Sequence, residues 1–228
     1  MTHATPPQLL DEFLQKYSAK SYRKGEIMLF QGEAPRSAYA VKRGVAKAYN
    51  LNSSGDEKPI AFYGPGSVFP ASWIFGAVPS AIYYYEAFTD LEVYFFPRDE
   101  YIACIRRQPE LLFWELNRYV MDDVGKTMRL NALQHSRASD KLIYTLHYLA
   151  LSHGRRVRPN VVEITLNLTH QDFANLTGLT RETTATELNK LKNQGVIAYG
   201  KHSPYRVDVA KLGNALNDQF IADLEVKL

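Results

Sequence analysis

From Tyr22 to about Tyr101, apolar and polar residues alternate in short runs closed by turn residues: Lys24-Gly25, Gln31-Gly32-Glu33, Arg43-Gly44, Ser53-Ser54-Gly55-Asp56 and Gly64-Pro65-Gly66. Period-two alternation broken roughly every eight to twelve residues predicts an all-β roll, barrel or sandwich. The pattern changes at Pro97. Between Pro109 and Gln134 apolar residues recur at helical spacing at Phe113, Leu116, Val120, Val124 and Met128, with Leu130 one position off the stripe. That spacing predicts a helix of about twenty-five residues, either a coiled-coil dimer seam or a core helix lying across its own sheet; a stripe at threes and fours on so long a helix favours the seam. Ser136 to Ser139 reads as a hinge. Ser139 is the expected N-cap of a following helix carrying Leu142, Ile143, Leu146, Leu149 and Ala150. After a basic loop, Gly154 to Pro159, the stretch Val161 to Leu168 alternates as a strand.

The next segment holds two short helical patterns separated by a glycine. Thr169 is placed to cap the first, which would bury Phe173, Ala174 and Leu176; Gly178 lets the chain reverse; Thr180 is placed to cap the second, which would bury Ala185, Leu188 and Leu191. The second helix keeps Arg181, Glu182, Thr183, Thr186, Asn189 and Lys190 on or near its outer face, a polar surface suited to base edges in a DNA major groove. Gly195 to Val207 then reads as a two-stranded wing whose tip carries Lys201 and His202 toward phosphate. The tail from Lys211, with Leu212, Leu216, Phe220, Ile221 and Leu224, predicts an added amphipathic helix.

Charge follows this division. The 228 residues carry a net charge of +3, with fifteen basic and fifteen acidic residues up to residue 135, against eleven and six from 137 to 211. A neutral half joined to a basic half suits a protein whose second half meets phosphates. With no apolar run long enough for a membrane span and no signal sequence, the expected location is the cytoplasm. The single Cys104 supplies too few thiolates for a structural zinc or an iron–sulfur cluster and reads as a small buried hydrophobe.

Together these residues resemble the CRP/FNR regulators of bacteria over nearly the whole chain. Gln31-Gly32-Glu33, Tyr39, Gly44, Gly55 and Gly64-Pro65-Gly66 match the β-roll glycine pattern, and Leu168-Thr169 with Arg181-Glu182-Thr183 matches the helix-turn-helix. The resemblance implies an α+β chain: an N-terminal β-roll (1–108), a long dimerisation helix (109–135), a C-terminal winged helix-turn-helix (136–210) and a helical tail (211–228). It implies a homodimer on a palindromic operator in double-stranded DNA, in contact with RNA polymerase if the protein activates. Base reading falls to Arg181, Glu182, Thr183 and Thr186. Phosphate contact falls to Ser139, Thr169, His170, Gln171, Thr180, Lys190, Lys201 and His202. Arg181 would donate to guanine and Glu182 accept from cytosine. Thr186 stands where the family often has a second arginine, so the base pair there is expected to be read loosely or through a thymine methyl.

The roll departs from the cyclic-nucleotide branch of that family. Gly66-Ser67 replaces Gly-Glu, Ala81-Ile82 replaces the Arg-Ser pair, and no arginine lies between Arg43 and Arg98. A buried cyclic phosphate would lack its charge-assisted partner, so cyclic AMP is not expected. No histidine lies between His3 and His135, which argues against haem on the roll and against a cupin-like metalloenzyme. No cofactor is expected. Among the aromatic residues of the roll, Phe69, Trp73, Tyr83 and Tyr85 are candidates for an apolar effector pocket, the other reading being that they fill a core. The alternative to a DNA reader is an effector-binding or interaction module whose terminal domain no longer reads DNA.

Overall fold

The computed structural model describes residues 5–200 and 203–216. The chain divides into two compact units, Met1–Arg118 and Tyr119–Leu228.

The first unit begins with α1 (Pro6–Leu14), whose Thr5 forms a capping box with Gln8. Strands β1 (Ala19–Tyr22), β2 (Ile27–Leu29), β3 (Ala38–Arg43), β4 (Ala46–Leu51), β5 (Glu57–Tyr63) and β6 (Val68–Phe69) follow. After the short α2 (Ala71–Ile74) come β7 (Tyr84–Ala87), β8 (Leu91–Phe96), α3 (Arg98–Arg107) and the long α4 (Pro109–Gln134), which crosses the boundary between the units. The strands form two antiparallel four-stranded sheets, ordered β1-β8-β3-β6 and β2-β7-β4-β5. Gly44 turns β3 into β4 at φ +87, and a Cβ there would collide with the Asp90 carbonyl, so the tight turn requires glycine. At the β4–β5 turn, Asn52 Oδ1 accepts from the Ser54 and Asp56 amides, as an Asx turn does.

Alternation in β3 separates two cores. Val41 faces the roll interior with Ala46, Ala48, Phe69, Tyr85 and Val93, whereas Ala38 and Ala40 face a helical layer of Leu10, Phe13, Ile74, Tyr101 and Ile105. The alternation of the strands was legible in the sequence; α1 and α3, which cover this second face, were not assigned there. On the other face of β4, Lys47 is buried between Glu57 and Glu86 with its ammonium over the Tyr49 ring.

The second unit contains the end of α4, then α5 (Ala138–His153), β9 (Gly154–Arg158), β10 (Val161–Ile164), α6 (His170–Thr177), α7 (Arg181–Asn193), β11 (Ile197–Gly200), β12 (Ser203–Asp208) and α8 (Val209–Leu216). Its sheet runs β11-β12-β10-β9. Two expectations are corrected. Arg137, with extended φ −80 and ψ 134, occupies the N-cap position of α5 without a side-chain capping bond, which leaves Ser139 inside the first turn, its hydroxyl donating to Asp140. The basic loop is strand β9, paired along β10 so that Arg155 lies opposite Glu163. Of the tail, α8 is described; Phe220, Ile221 and Leu224 lie outside the described residues.

Along α4 the apolar stripe also differs from its expected course. Phe113, Leu116, Val120 and Leu130 are 64%, 53%, 51% and 59% exposed, but Met128 is buried against Ala132 and Tyr144, with Val124 beside it. The reason is geometric. Four-residue steps from Val120 through Val124 to Met128 advance about 40° each around the helix, carrying the row off the exposed face and into the unit's own core. Phe113, Leu116, Val120 and Leu130 stay within a sector of about 100°.

Candidate nucleic-acid interface

Both helices of the pair start on side-chain caps. The Thr169 hydroxyl accepts from the Asp172 amide at 3.2 Å, while the Asp172 carboxylate accepts from the Thr169 amide and hydroxyl at 2.7 and 2.6 Å. Thr180 accepts from the Thr183 amide at 3.1 Å and donates to its hydroxyl at 3.0 Å. Gly178, at φ +69 and ψ 22, closes α6 in the left-handed region and sends the chain back into α7. Because the Thr169 hydroxyl is committed to Asp172, a phosphate at this corner would meet the unpaired first-turn amides of α6.

Helix α7 buries Thr184, Leu188 and Leu191 at a spacing of four and three residues. Thr184, not the expected Ala185, is the fully buried member, and its hydroxyl has no hydrogen-bond partner among the described residues. On the opposite side Glu182, Thr186, Asn189 and Asn193 form an exposed line at spacings of four, three and four, flanked by exposed Arg181 and Lys190. Thr183 is half-buried, held by its cap. Lys190 pairs with Glu187 at 2.7 Å.

Aromatic packing fixes the wing beside this line. Phe173 packs on Tyr205 with ring centroids 4.9 Å apart, Tyr205 stacks on Tyr199 at 4.6 Å, and His170 meets Tyr199 edge-on at 5.7 Å. The Tyr199 hydroxyl donates to Asn189 Oδ1 at 2.9 Å, and the Lys192 ammonium lies 4.6 Å from the Tyr199 ring centroid. Partial burial, and then the nearby Arg181 charge, push the His170 pKa below its ordinary value. Gln171, exposed, donates to Asn175 Oδ1 at 2.9 Å. Across the sheet Glu163 holds Arg155 at 2.8 Å and Arg206 at 3.0 Å, and those guanidinium groups keep its carboxyl below the usual range. Thus Arg181, Glu182, Thr186, Lys190, Thr169, His170, Gln171 and Thr180 all lie on α6, α7 or their caps, whereas Ser139 is on α5, and Lys201 and His202 lie outside the described residues. Asn189 lies on the outer face as expected, but its tether to Tyr199 was not anticipated.

The expected effector pocket is corrected. Phe69 is fully buried and stacked on Tyr39, Tyr63 and Tyr85 at 5.5, 4.9 and 5.3 Å. Trp73 belongs to the helical layer, under the Arg98 guanidinium, and Tyr83 packs on the roll core. The four rings are therefore divided between two cores, Trp73 in one and the other three in the other. Two clefts in this unit lie among the helices instead. One, of about 500 Å³, is lined by Ile74, Phe75, Arg98, Ile102, Arg106 and Leu112; the other, of about 380 Å³, includes Tyr17, Glu100 and Cys104. Burial pushes the Cys104 thiol up from its ordinary pKa. Ala81 is buried and bonded through both backbone groups, to Gly32 and Glu33, each at 2.8 Å. Arg118 of α4 donates to the Gly66 carbonyl at 2.8 Å, approaches Ser67 Oγ at 3.4 Å and stacks on Trp114, beside the buried Glu115, whose pKa burial raises. No helix among the described residues is long and apolar enough to cross a membrane.

Comparison with known proteins agrees with this division. Residues 19–108 match the cyclic nucleotide-binding domain family, and residues 140–214 match the Crp-like helix-turn-helix domain. The chain is 25% identical over 202 residues to the cyclic AMP receptor protein of Thermus thermophilus, covering 87% of this chain and 88% of that protein. It is 26% identical over 183 residues to the global nitrogen regulator of Synechococcus elongatus, covering 80% and 82%. In fold it is similar to a mutant CooA from Carboxydothermus hydrogenoformans, with a TM-score of 0.73 at 19% identity over 95% and 97% of the two chains. It is also similar to FixK2 from Bradyrhizobium japonicum, with a TM-score of 0.70 at 22% identity over 87% and 96%. A cyclic nucleotide-binding-type roll followed by a capped, winged Crp-like helix-turn-helix identifies the chain as a member of the CRP/FNR family of DNA-binding transcription regulators.

Proposed function

We propose that this regulator binds a palindromic operator as a homodimer, with one α7 in each of two successive major grooves, and that it has no catalytic activity of its own. The observation that carries the reading is the exposed polar line of α7 opposite its buried Thr184, Leu188 and Leu191. In this reading Arg181 and Glu182 read a guanine and a cytosine, Thr183 and Thr186 lie against neighbouring base edges, and Ser139, Thr169, His170, Gln171, Thr180 and Lys190 meet phosphates, together with Lys201 and His202. The functional segments are a sensor-like roll (1–108), a dimer helix (109–135), a DNA-binding domain (136–210) and a tail (211–228). The exposed Phe113, Leu116, Val120 and Leu130 support the dimer, because so much apolar surface on one helix face stabilises association when a second copy covers it. The protein acts in the cytoplasm, and as an activator it touches RNA polymerase. The filled roll supports a regulator that does not answer to cyclic AMP.

Binding to operators selected from random DNA, followed by fluorescence anisotropy at several salt concentrations, tests the reading. A palindromic consensus, a steep salt dependence, and loss of specific binding in Arg181→Ala are expected. A chain that selects no consensus, or an Arg181→Ala variant with unchanged specificity, overturns it.

A further inference from the structure

We infer that Arg129 is a positioning residue for DNA binding: it holds the end of α6, just before the turn into α7, on the helix that carries the proposed dimer face, and so sets the spacing of the two recognition helices. The inference rests on the proposal that the protein binds a palindrome as a homodimer. Arg129 stands between the buried Met128 and Leu130, which is 59% exposed, and is itself only 9% exposed. Its guanidinium lies 3.5 Å from the Leu176 carbonyl of α6, in a buried contact. The direction of that contact is fixed, since a guanidinium only donates and a carbonyl only accepts.

The last four carbonyls of a helix have no partner within it, and Leu176 stands two residues before Gly178, the left-handed C-cap of α6. The Gly178 and Leu179 amides both go to the Ala174 carbonyl, and the Thr177 hydroxyl goes to the Phe173 carbonyl. What faces Leu176 is a cation at the negative end of the α6 peptide dipoles, and its charge strengthens a contact that is long for a hydrogen bond. Thr180 caps α7 two residues after Gly178, so Arg129 grips the chain immediately before it reverses into the recognition helix. Met128 and Ala132 pack instead on Tyr144 of α5. Such apolar contacts resist separation but have no direction, whereas a buried charge beside one carbonyl has one. Burial pulls the Arg129 pKa below its ordinary value, against the opposing influence of Tyr148, so an apolar side chain of similar length would remove the tie at little cost to the fold. Two α7 helices enter successive major grooves only when they stand about one turn of DNA, roughly 34 Å, apart. The dimer face of α4 fixes one end of that distance, and Arg129 fixes the other.

The test selects operators from random DNA with the wild type and then measures affinities of wild type and Arg129→Met by fluorescence anisotropy. The duplexes are the selected palindrome, palindromes with one base pair inserted or removed at the centre, and duplexes with one half-site scrambled. Sedimentation and urea unfolding are measured alongside, and Arg129→Gln makes the same comparison if the methionine variant does not fold. The wild type is expected to bind the altered spacings at least about tenfold more weakly than the selected one. Arg129→Met should bind the selected palindrome about tenfold more weakly and discriminate less between spacings. It should match the wild type in dimer mass, in affinity for a single half-site and in salt dependence. A variant that weakens on the single half-site as much as on the palindrome has lost the reading domain itself, and one with unchanged spacing discrimination has lost no positioning; either result overturns the inference. A shallower salt dependence also overturns it, by placing Arg129 on a phosphate. A wild type that selects no palindrome overturns the wider reading instead, so the two failures are distinct.

Discussion

Gly125 is the single glycine of α4, and replacing it with alanine tests how tightly α4 packs on α5. In an exposed helix the change would stabilise by about 1 kcal/mol, because alanine loses less backbone entropy than glycine. At this site a Cβ would stand 2.6 Å from Ser152 Oγ and 3.2 Å from two ring carbons of Tyr148. Ser152 is half-buried, and its hydroxyl can turn away at small cost. Tyr148 has less room, being 1% exposed in the core of its unit. Moving such a ring by a few tenths of an ångström costs about 1 to 3 kcal/mol. The net expectation is a destabilisation of about 1 kcal/mol for Gly125→Ala and a larger one for Gly125→Val, whose branched side chain meets the same ring. Urea unfolding with far-ultraviolet circular dichroism measures the difference. A second variant, Gly125→Ala/Ser152→Ala, separates the two contacts: most of the cost should remain if the ring is responsible. Stabilisation by Gly125→Ala of about 1 kcal/mol would refute the reasoning, since it would mean that the ring moves freely.

Two further outcomes follow from the same structure. Leu116→Glu/Val120→Glu places charges on the exposed face of α4 and is expected to yield monomers by analytical ultracentrifugation, with operator affinity reduced at least about 100-fold by the loss of two-site binding; an unchanged dimer mass would remove this face from the interface. His153 is pushed down to about 4, from an ordinary 6.5, chiefly by burial and against the opposing pull of Asp122. Its neutral form is thus favoured by folding, so the stabilisation is fully present above pH 6.5 and is lost as pH falls toward 4. Allowing for the residue's partial exposure, about 1 to 2 kcal/mol should be lost between pH 8 and pH 5. Urea unfolding of wild type and His153→Gln at both pH values tests this, and an equal loss in the variant would count against it.

The fold and the interface were unequally legible. Thr169, Gly178 and Thr180 each have a local reason to stand where they do, a cap or a left-handed backbone, so the turn between α6 and α7 could be read residue by residue. The stripe on α4 was read only in part, because spacings of three and of four both look helical while only their mixture stays on one face; Val124 and Met128 drifted inward and Leu130 came out. Phe69 and Tyr85 illustrate a deeper limit. An aromatic residue that lines a pocket and one that fills a core have the same sequence pattern, and the difference depends on strands far apart in the chain, here β6 against β7 and β3. The tether between Tyr199 and Asn189 belongs to this second kind, because it joins two elements whose approach is set by the buried Phe173 and Tyr205.

The first unit has the fold of the cyclic nucleotide-binding domain family, and aromatic rings fill the interior of its roll. Three stacked contacts converge on Phe69, so a ligand in the roll interior would have to displace rings packed about 5 Å apart. Arg118 of α4 donates to the Gly66 carbonyl of the Gly64–Ser67 turn. This contact, with that to Ser67 Oγ, joins the start of the long helix to the turn. Because Glu115 is buried beside Arg118, losing the arginine would leave a carboxylate without its cation in an environment that already raises its pKa. The same contacts therefore stabilise the roll and fix the start of α4 on it.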